Sequence, residues 1–454
     1  TISGAYTGKQ AYVLPTPELT SVKSTSSGIT INWKAVSNAQ GYRIYRKNEN
    51  RNWVGLANVS SSQNSYTDTS ADPQKAYTYP VRAYRYGGTL GGGVLYYSGY
   101  ETEGITSLVQ PAFTLSNTAS GVQISWDKVP SATKYRVYCR SGTTGDWTRL
   151  TETTSTSYTY QAKSGSTYYY TVRAFLDDDT YSAYRQDLAM KRLTQPEFTV
   201  SNTATGVQID WSSVTGANKY RVYYRTEDMS GWTRLTETTD TSYIDTTAKS
   251  GVTYYYTVKA FSDNTYWSSY REDVKIKRLS QPNFTLSNTA EGVQIDWDKV
   301  TGATKYRVYY YSGTDGNWVR LAETTGTSYT YKAKEGSTYY YTVKAFSGNT
   351  YWSSYRKDVT FTRLTEPDFT LTNEENGVKI SWDKVSGASK YRVYCRSGTT
   401  GDWTRLTETT STGYTYKAKA GSTYYYTVKA FAKDGSYSTY RKDVSFKRLE
   451  EPDF

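Results

Sequence analysis

The tryptophans of INWKAV, ISWDKV, IDWSSV, IDWDKV and ISWDKV stand at Trp33, Trp126, Trp211, Trp297 and Trp382. The last four are 85, 86 and 85 residues apart, and Pro111, Pro196, Pro282, Pro367 and Pro452 keep the same step. A chain that repeats itself so closely must fold as a string of like units, because one set of contacts has to serve every copy. A period of 85 residues is too long for one solenoid turn and long enough for a small independent core. The first interval is 93 residues, because the first unit carries an insertion, RYGGTLGGGVLYYSGY, at 85–100. Five units are expected, at 16–109, 110–194, 195–280, 281–365 and 366–450, after a leading segment 1–15. Residues 451–454 reopen the repeat, and the start TISGAYTGKQ lacks the charged and apolar regions of a signal peptide; both ends read as cuts in a longer polypeptide.

Within a unit the apolar residues alternate instead of recurring every three or four positions. Tyrosine dominates, at 50 of 454 residues, with Thr and Val plentiful, so the chain is expected to be all-β. In the second unit GVQISW puts Val122, Ile124 and Trp126 on one face and Gln123 and Ser125 on the other. KYRVYCR sends Tyr135, Val137 and Cys139 inward and Arg136, Tyr138 and Arg140 outward. STYYYTVRAF (166–175) recurs almost unchanged in units three, four and five. Val172 and Ala174 face the core, which carries Tyr168 and Tyr170 inward and leaves Tyr169, Thr171 and Arg173 facing water. With FTLS (113–116), WTRLTE (147–152), SYTY (157–160) and YSAYRQDLAMKR (181–192) there are seven short segments and no room for a helix. Cys139 and Cys395 occupy equivalent slots of separate units, read as small buried hydrophobes or as thiols for an intermolecular bridge.

In order and spacing, GVQISW, KYRVY, SYTY and GSTYYYTVRAF resemble a fibronectin type III domain, in the form common in secreted bacterial proteins. The resemblance covers all five units. It implies Ig-like, seven-stranded β-sandwiches strung into an elongated rod, extracellular, on a bacterial cell surface or secreted. It also implies a tyrosine corner at Tyr168, Tyr254, Tyr339 and Tyr424, with altered packing where Ala162, Ala333 and Ala418 replace the family's usual Leu. Pro80 stands where the other units have Thr, so a local bulge is expected in the sixth strand of unit one. Joints such as KRLTQP (191–196) leave about three residues between sandwiches and hold no Gly/Ser linker, so a semi-rigid, monomeric rod of roughly 150 Å is expected.

Tyr138 on the third strand and Tyr169 on the sixth should share a sheet face with Arg136, Arg140 and Arg173. Tyr223 and Tyr255, Tyr309 and Tyr340, and Tyr394 and Tyr425 repeat the pair. Such a face is either cross-strand stabilisation or a recognition surface, since Tyr and Arg are enriched at binding hot spots. The loop after the sixth strand varies between units, and Trp267 and Trp352 lie near its tip in two of them; it fits a binding loop or neutral drift. The acidic run at 177–179 is a solvated loop or a Ca²⁺ site.

The chain has no His, which removes the usual general base, the Ser–His and Cys–His pairs and ordinary zinc sites. Its acids sit in repeated strands, not in a single cleft, so no enzyme activity and no cofactor is expected. A net charge of +12 favours acidic partners, but the charge is dispersed, which argues against nucleic acid, and no apolar run could insert in a membrane. Two functions remain open. One is an adhesin-like, multivalent binding protein for a host protein or glycan, such as an immunoglobulin or mucosal glycoprotein. The other is a set of passive spacer modules of a larger secreted enzyme or wall-anchored protein.

Overall fold

The computed structural model describes residues 13–449 apart from 26, 48–51, 73, 88–92, 101–102, 185–186, 271–272, 314–316, 357–358 and 442–443. The leading segment 1–12, residues 451–454 and the middle of the insertion (88–92) therefore lie outside the described residues. Every element among the described residues is a strand. Among the described residues no helix is long and apolar enough to cross a membrane.

Five buried clusters follow one another along the chain, each containing one of the repeated tryptophans, Trp33, Trp126, Trp211, Trp297 or Trp382. Each lies between a three-stranded sheet and a sheet of four to six strands. We number the modules by these clusters. In module 2 the first strand (Phe113–Asn117), second (Val122–Trp126) and fifth (Ser157–Tyr160) form the smaller sheet. The fourth (Thr148–Thr153), third (Lys134–Ser141), sixth (Thr167–Phe175) and seventh (Leu188–Lys191) form the larger one in that order. All of these pairs are antiparallel. The seventh strand is shorter than the sequence pattern suggests. Before it, residues 181–184 are not in a strand, and Tyr181 makes an isolated bridge to Phe175 of the sixth strand.

The alternation places the tyrosine triplet as expected. Tyr170, Tyr256, Tyr341 and Tyr426 are fully buried, while Tyr169 is half-buried on the opposite face with Arg140 across from it. Thr171 is different: it lies on the outer face yet is fully buried, as are Thr257, Thr342 and Thr427. Something therefore covers the outer face of the larger sheet.

One buried contact recurs in all five modules. The third-strand tyrosine packs edge-on or tilted against the repeated tryptophan, 5.4 Å between Tyr135 and Trp126. Its hydroxyl accepts the N–H of the residue six positions back, Val129 to Tyr135 at 2.8 Å. Tyr42, Tyr220, Tyr306 and Tyr391 do the same. A buried N–H that cannot reach water thus gets a partner from the core itself.

The sixth-strand tyrosines divide into two types. Tyr256 donates to buried Asp245 at 2.7 Å and Tyr79 to buried Asp68 at 3.0 Å. In modules 2, 4 and 5 a tyrosine (Tyr160, Tyr331, Tyr416) stands in that Asp position, and the hydroxyls of Tyr170, Tyr341 and Tyr426 find no hydrogen-bond partner among the described residues. The tyrosine corner splits the same way. Tyr254 Oη accepts the Lys249 N–H at 3.0 Å. Tyr168, Tyr339 and Tyr424 pack instead on the rings of Tyr160, Tyr331 and Tyr416. In module 1 the sixth strand is broken at Pro80 into Thr78–Tyr79 and Val81–Gly87, as a residue without an N–H requires.

Candidate functional site

The larger sheet sets the outward residues of the third and sixth strands in rows. Arg136 lies across from Arg173, Tyr138 from Thr171, and Arg140 from Tyr169. A register shift between Val137 and Tyr138 against the fourth strand recurs in all five modules, at Ile44/Tyr45, Val222/Tyr223, Val308/Tyr309 and Val393/Tyr394. Such a bulge bends the strand just where the outward tyrosine stands.

The cover over Thr171 comes from the segment between the hairpin and the seventh strand. The Tyr184 ring meets Tyr138 edge-on at 5.6 Å and stacks on Trp147 at 6.2 Å. Arg173 lies over the rings of Tyr184 at 4.0 Å and Tyr181 at 4.2 Å. Gln110 holds the segment in place by donating to the Tyr184 carbonyl at 2.8 Å. Tyr223 likewise meets Tyr270, and Lys259 lies 3.9 Å from the Tyr270 ring centroid. In module 4 Trp318 meets Tyr355, and Tyr309, Trp318, Thr342, Lys344 and Tyr355 line one groove. In module 5 Trp403 meets Tyr440 and Lys429 lies over it, with Tyr394 at the site's third-strand position. Module 1 has its own version, lined by Tyr45, Trp53, Pro80, Arg82 and Tyr100.

The second row forms a separate group. Arg140 lies over Trp147 and Tyr169 and pairs with Asp187. Arg225 lies over Tyr255 at 4.3 Å and pairs with Asp273 at 2.6 Å. Tyr340 meets Tyr311, and Arg396 lies over Tyr425. The expected Tyr138/Tyr169 pair therefore shares a face while its two rings serve different neighbours. Arg136 is held by Glu152 at 2.6 Å and Asp178 at 2.8 Å, above the Phe175 ring. Two of the three acids in the 177–179 run thus have cationic partners, Asp178 with Lys134 and Arg136, and Asp179 with Lys23. Asp177 closes its own turn by accepting the Asp179 N–H.

Burial acts on the lysines of the cover. Lys259, Lys344 and Lys429 have pKa values below the ordinary lysine value, because burial disfavours the ammonium. The buried thiols of Cys139 and Cys395 are pushed up for the same reason.

The hairpin after the sixth strand is a joint. The Trp267 carbonyl of module 3 accepts Asn117 Nδ2 of module 2 at 2.9 Å. Trp352 does the same for Asn202 at 2.9 Å, and Tyr437 for Asn288 at 3.0 Å. Each Asn also donates to its own seventh-strand or following carbonyl, Lys191, Lys277 or Thr362. Beside it an arginine of the linker, Arg192, Arg278 or Arg363, is buried and donates to carbonyls of the turn between the first two strands; Arg192 reaches Thr118 at 2.7 Å and Ala119 at 3.1 Å. The following Leu193, Leu279 and Leu364 are fully buried. On the other side of the joint two glycines meet. A Cβ on Gly302 (φ +83°) would lie 2.5 Å from the Gly251 Cα, and Gly165/Gly216 and Gly336/Gly387 form the same close pair. The first joint uses strands: Ser24 donates to the Tyr181 carbonyl at 3.1 Å and Tyr181 to the Val22 carbonyl at 3.2 Å.

Sequence reasoning placed Trp267 and Trp352 near the tip of a variable loop. Their carbonyls instead face the preceding module, while their rings remain half exposed, each 6.0 Å from Lys259 or Lys344. It missed Tyr184, Tyr270, Tyr355 and Tyr440, and Asn117, Asn202 and Asn288. Both sets are visible as repeats, SAYR, SSYR, SSYR and STYR for the first and the Asn closing FTLSN, FTVSN and FTLSN for the second.

No family model matches the chain. A stretch of 271 residues is 31% identical to a protein named Exoglucanase B from Cellulomonas fimi, covering 53% of this chain and 23% of that protein. The chain thus matches less than a quarter of that relative's length. The solved structure of chicken CNTN1 FN1–FN3 domains covers 56% of this chain and 99% of that one at 15% identity, with a TM-score of 0.22. The three-stranded sheet of first, second and fifth strands against fourth, third, sixth and seventh recurs with each copy of the repeat. The chain is an all-β run of tandem two-sheet sandwiches that resemble fibronectin type III domains.

Proposed function

We propose that this chain is a non-catalytic extracellular spacer, a monomeric rod of five modules at 16–109, 110–194, 195–280, 281–365 and 366–450, within a larger secreted or surface protein. The observation that carries the reading is the use of the hairpin tips. Loops are where this kind of scaffold most readily binds partners, and here the carbonyls of Trp267, Trp352 and Tyr437 are engaged by the preceding module. A joint made of side-chain hydrogen bonds on one side and a glycine–glycine contact on the other resists both bending and twist. Partial likeness to a protein named as an exoglucanase supports a place beside a secreted catalytic module. The adhesin-like alternative, with a host protein or glycan such as an immunoglobulin as partner, then rests on the sheet face.

The test is small-angle scattering on the full chain beside a binding screen against immunoglobulins and mucosal glycoproteins. The spacer reading expects one extended conformation and no protein partner. A flexible ensemble, or saturable binding abolished by Trp267→Ala or Trp352→Ala, would overturn it.

A further inference from the structure

The groove of module 4 combines three features that a purely structural surface does not need. Its walls are aromatic, Tyr309, Trp318 and Tyr355. Its cation, Lys344, lies over the Tyr355 ring at 4.8 Å and has no carboxylate partner among the described residues. Its floor is Thr342, 1% exposed, whose hydroxyl has no hydrogen-bond partner among the described residues. The open volume is about 130 Å³. Module 5 repeats the set with Trp403, Thr427, Lys429 and Tyr440, and the Thr427 hydroxyl is also without a partner among the described residues. Module 3 repeats the Tyr223 and Tyr270 rings with Lys259 over Tyr270, and Lys259 has no carboxylate partner among the described residues. Three arginines on the outer faces of these sheets do have carboxylate partners: Arg307 has Glu323, Arg392 has Glu408 and Arg225 has Asp273.

A half-buried ammonium without a counter-ion invites an anion, and an orphan buried hydroxyl invites a polar group. Aromatic walls suit a ring-shaped ligand with an apolar face. Pyranose sugars carrying a carboxylate meet all three demands, and a net charge of +12 draws a polyanion to the whole array. We propose that the Lys344 groove and its counterparts over Lys259 and Lys429 are subsites for the carboxylate-bearing sugar units of an anionic polysaccharide. Three subsites on one chain let individually weak contacts add through effective concentration. This binding is independent of the spacer role and would hold the rod against an acidic polymer.

The experiment titrates the full chain with polygalacturonate, following tryptophan fluorescence, with dextran sulfate and neutral dextran alongside. Saturable binding of polygalacturonate is expected. The triple variant Lys259→Gln, Lys344→Gln, Lys429→Gln should weaken it about tenfold or more, the size of one lost charge-assisted contact. Thr342→Val, which leaves the charge unchanged, should weaken it as well. The control triple Lys249→Gln, Lys332→Gln, Lys417→Gln removes the same charge from exposed sites and should leave affinity within about twofold by that same scale. Absence of binding, an equal loss in the control triple, or dextran sulfate binding that ignores the groove lysines would each overturn the proposal. Unfolding midpoints of all variants show whether they remain folded, and Lys344→Met serves where the triple does not.

Discussion

Asn202 of module 3 donates its side-chain amide to the main-chain carbonyl of Trp352 in module 4, at 2.9 Å across 150 positions of sequence. The same amide donates to the Lys277 carbonyl of its own module at 3.0 Å, so one side chain ties a seventh-strand end to a neighbour's hairpin. Replacing it by Ala removes both bonds and also takes the side-chain oxygen that accepts the Leu279 N–H at 3.2 Å and Arg278 at 3.4 Å. Asn202→Ala should lower the stability of this joint by about 1–2 kcal/mol. Hydrogen exchange would show faster exchange around Tyr351–Trp352, with the module 4 core unchanged; loss of protection in the core as well would contradict a local joint.

The two sixth-strand tyrosine types predict opposite responses to one substitution. Tyr256→Phe strips buried Asp245 of a donor and should destabilise module 3 by roughly 1–3 kcal/mol. Tyr341→Phe removes a buried hydroxyl that has no partner among the described residues and should be neutral or stabilising. Chemical denaturation of each variant measures both.

The outer ion pairs should resist acid. Glu237, Glu323 and Glu408 each accept from a lysine and an arginine, and these hydrogen bonds, the lysine's first, hold their carboxyls at about 2 against an ordinary 4.5. A lowered folded-state pKa contributes stability above the unfolded value, and that contribution is lost as pH falls through the folded value. The pairs should therefore persist at pH 4 and break on the way to about 2. NMR titration of the glutamate side chains reads this directly; midpoints at the ordinary value would refute the pairing.

Burial raises the thiol pKa of Cys139 and Cys395, so neither should react with an alkylating reagent in the native protein near pH 8, the ordinary titration range of a free thiol. Labelling that appears only in denaturant is the expected result. Labelling at the native rate of a free thiol would place these strands differently.

Alternation made the strands, the core and the outward Tyr169 readable, because a side chain's face depends only on its neighbours in the strand. Thr171 escaped that rule, since its cover comes from Tyr184, which sits in a segment of little strand character. The joint was harder still. Asn117 and Trp267 belong to different copies of the repeat, and a repeating sequence states what each copy contains without stating which copy it touches. Arg192 in KRLTQP looked like linker; it is buried because the carbonyls of the adjacent turn need donors.

The central claim is that each module is fixed to the one before it. Spin labels placed on modules 3 and 4 and measured by pulsed dipolar spectroscopy test it most directly, in the full chain and in Gly302→Val, whose side chain would collide with Gly251. The account predicts one narrow distance distribution that broadens or shifts in the variant. A broad distribution already present in the unsubstituted chain would contradict it.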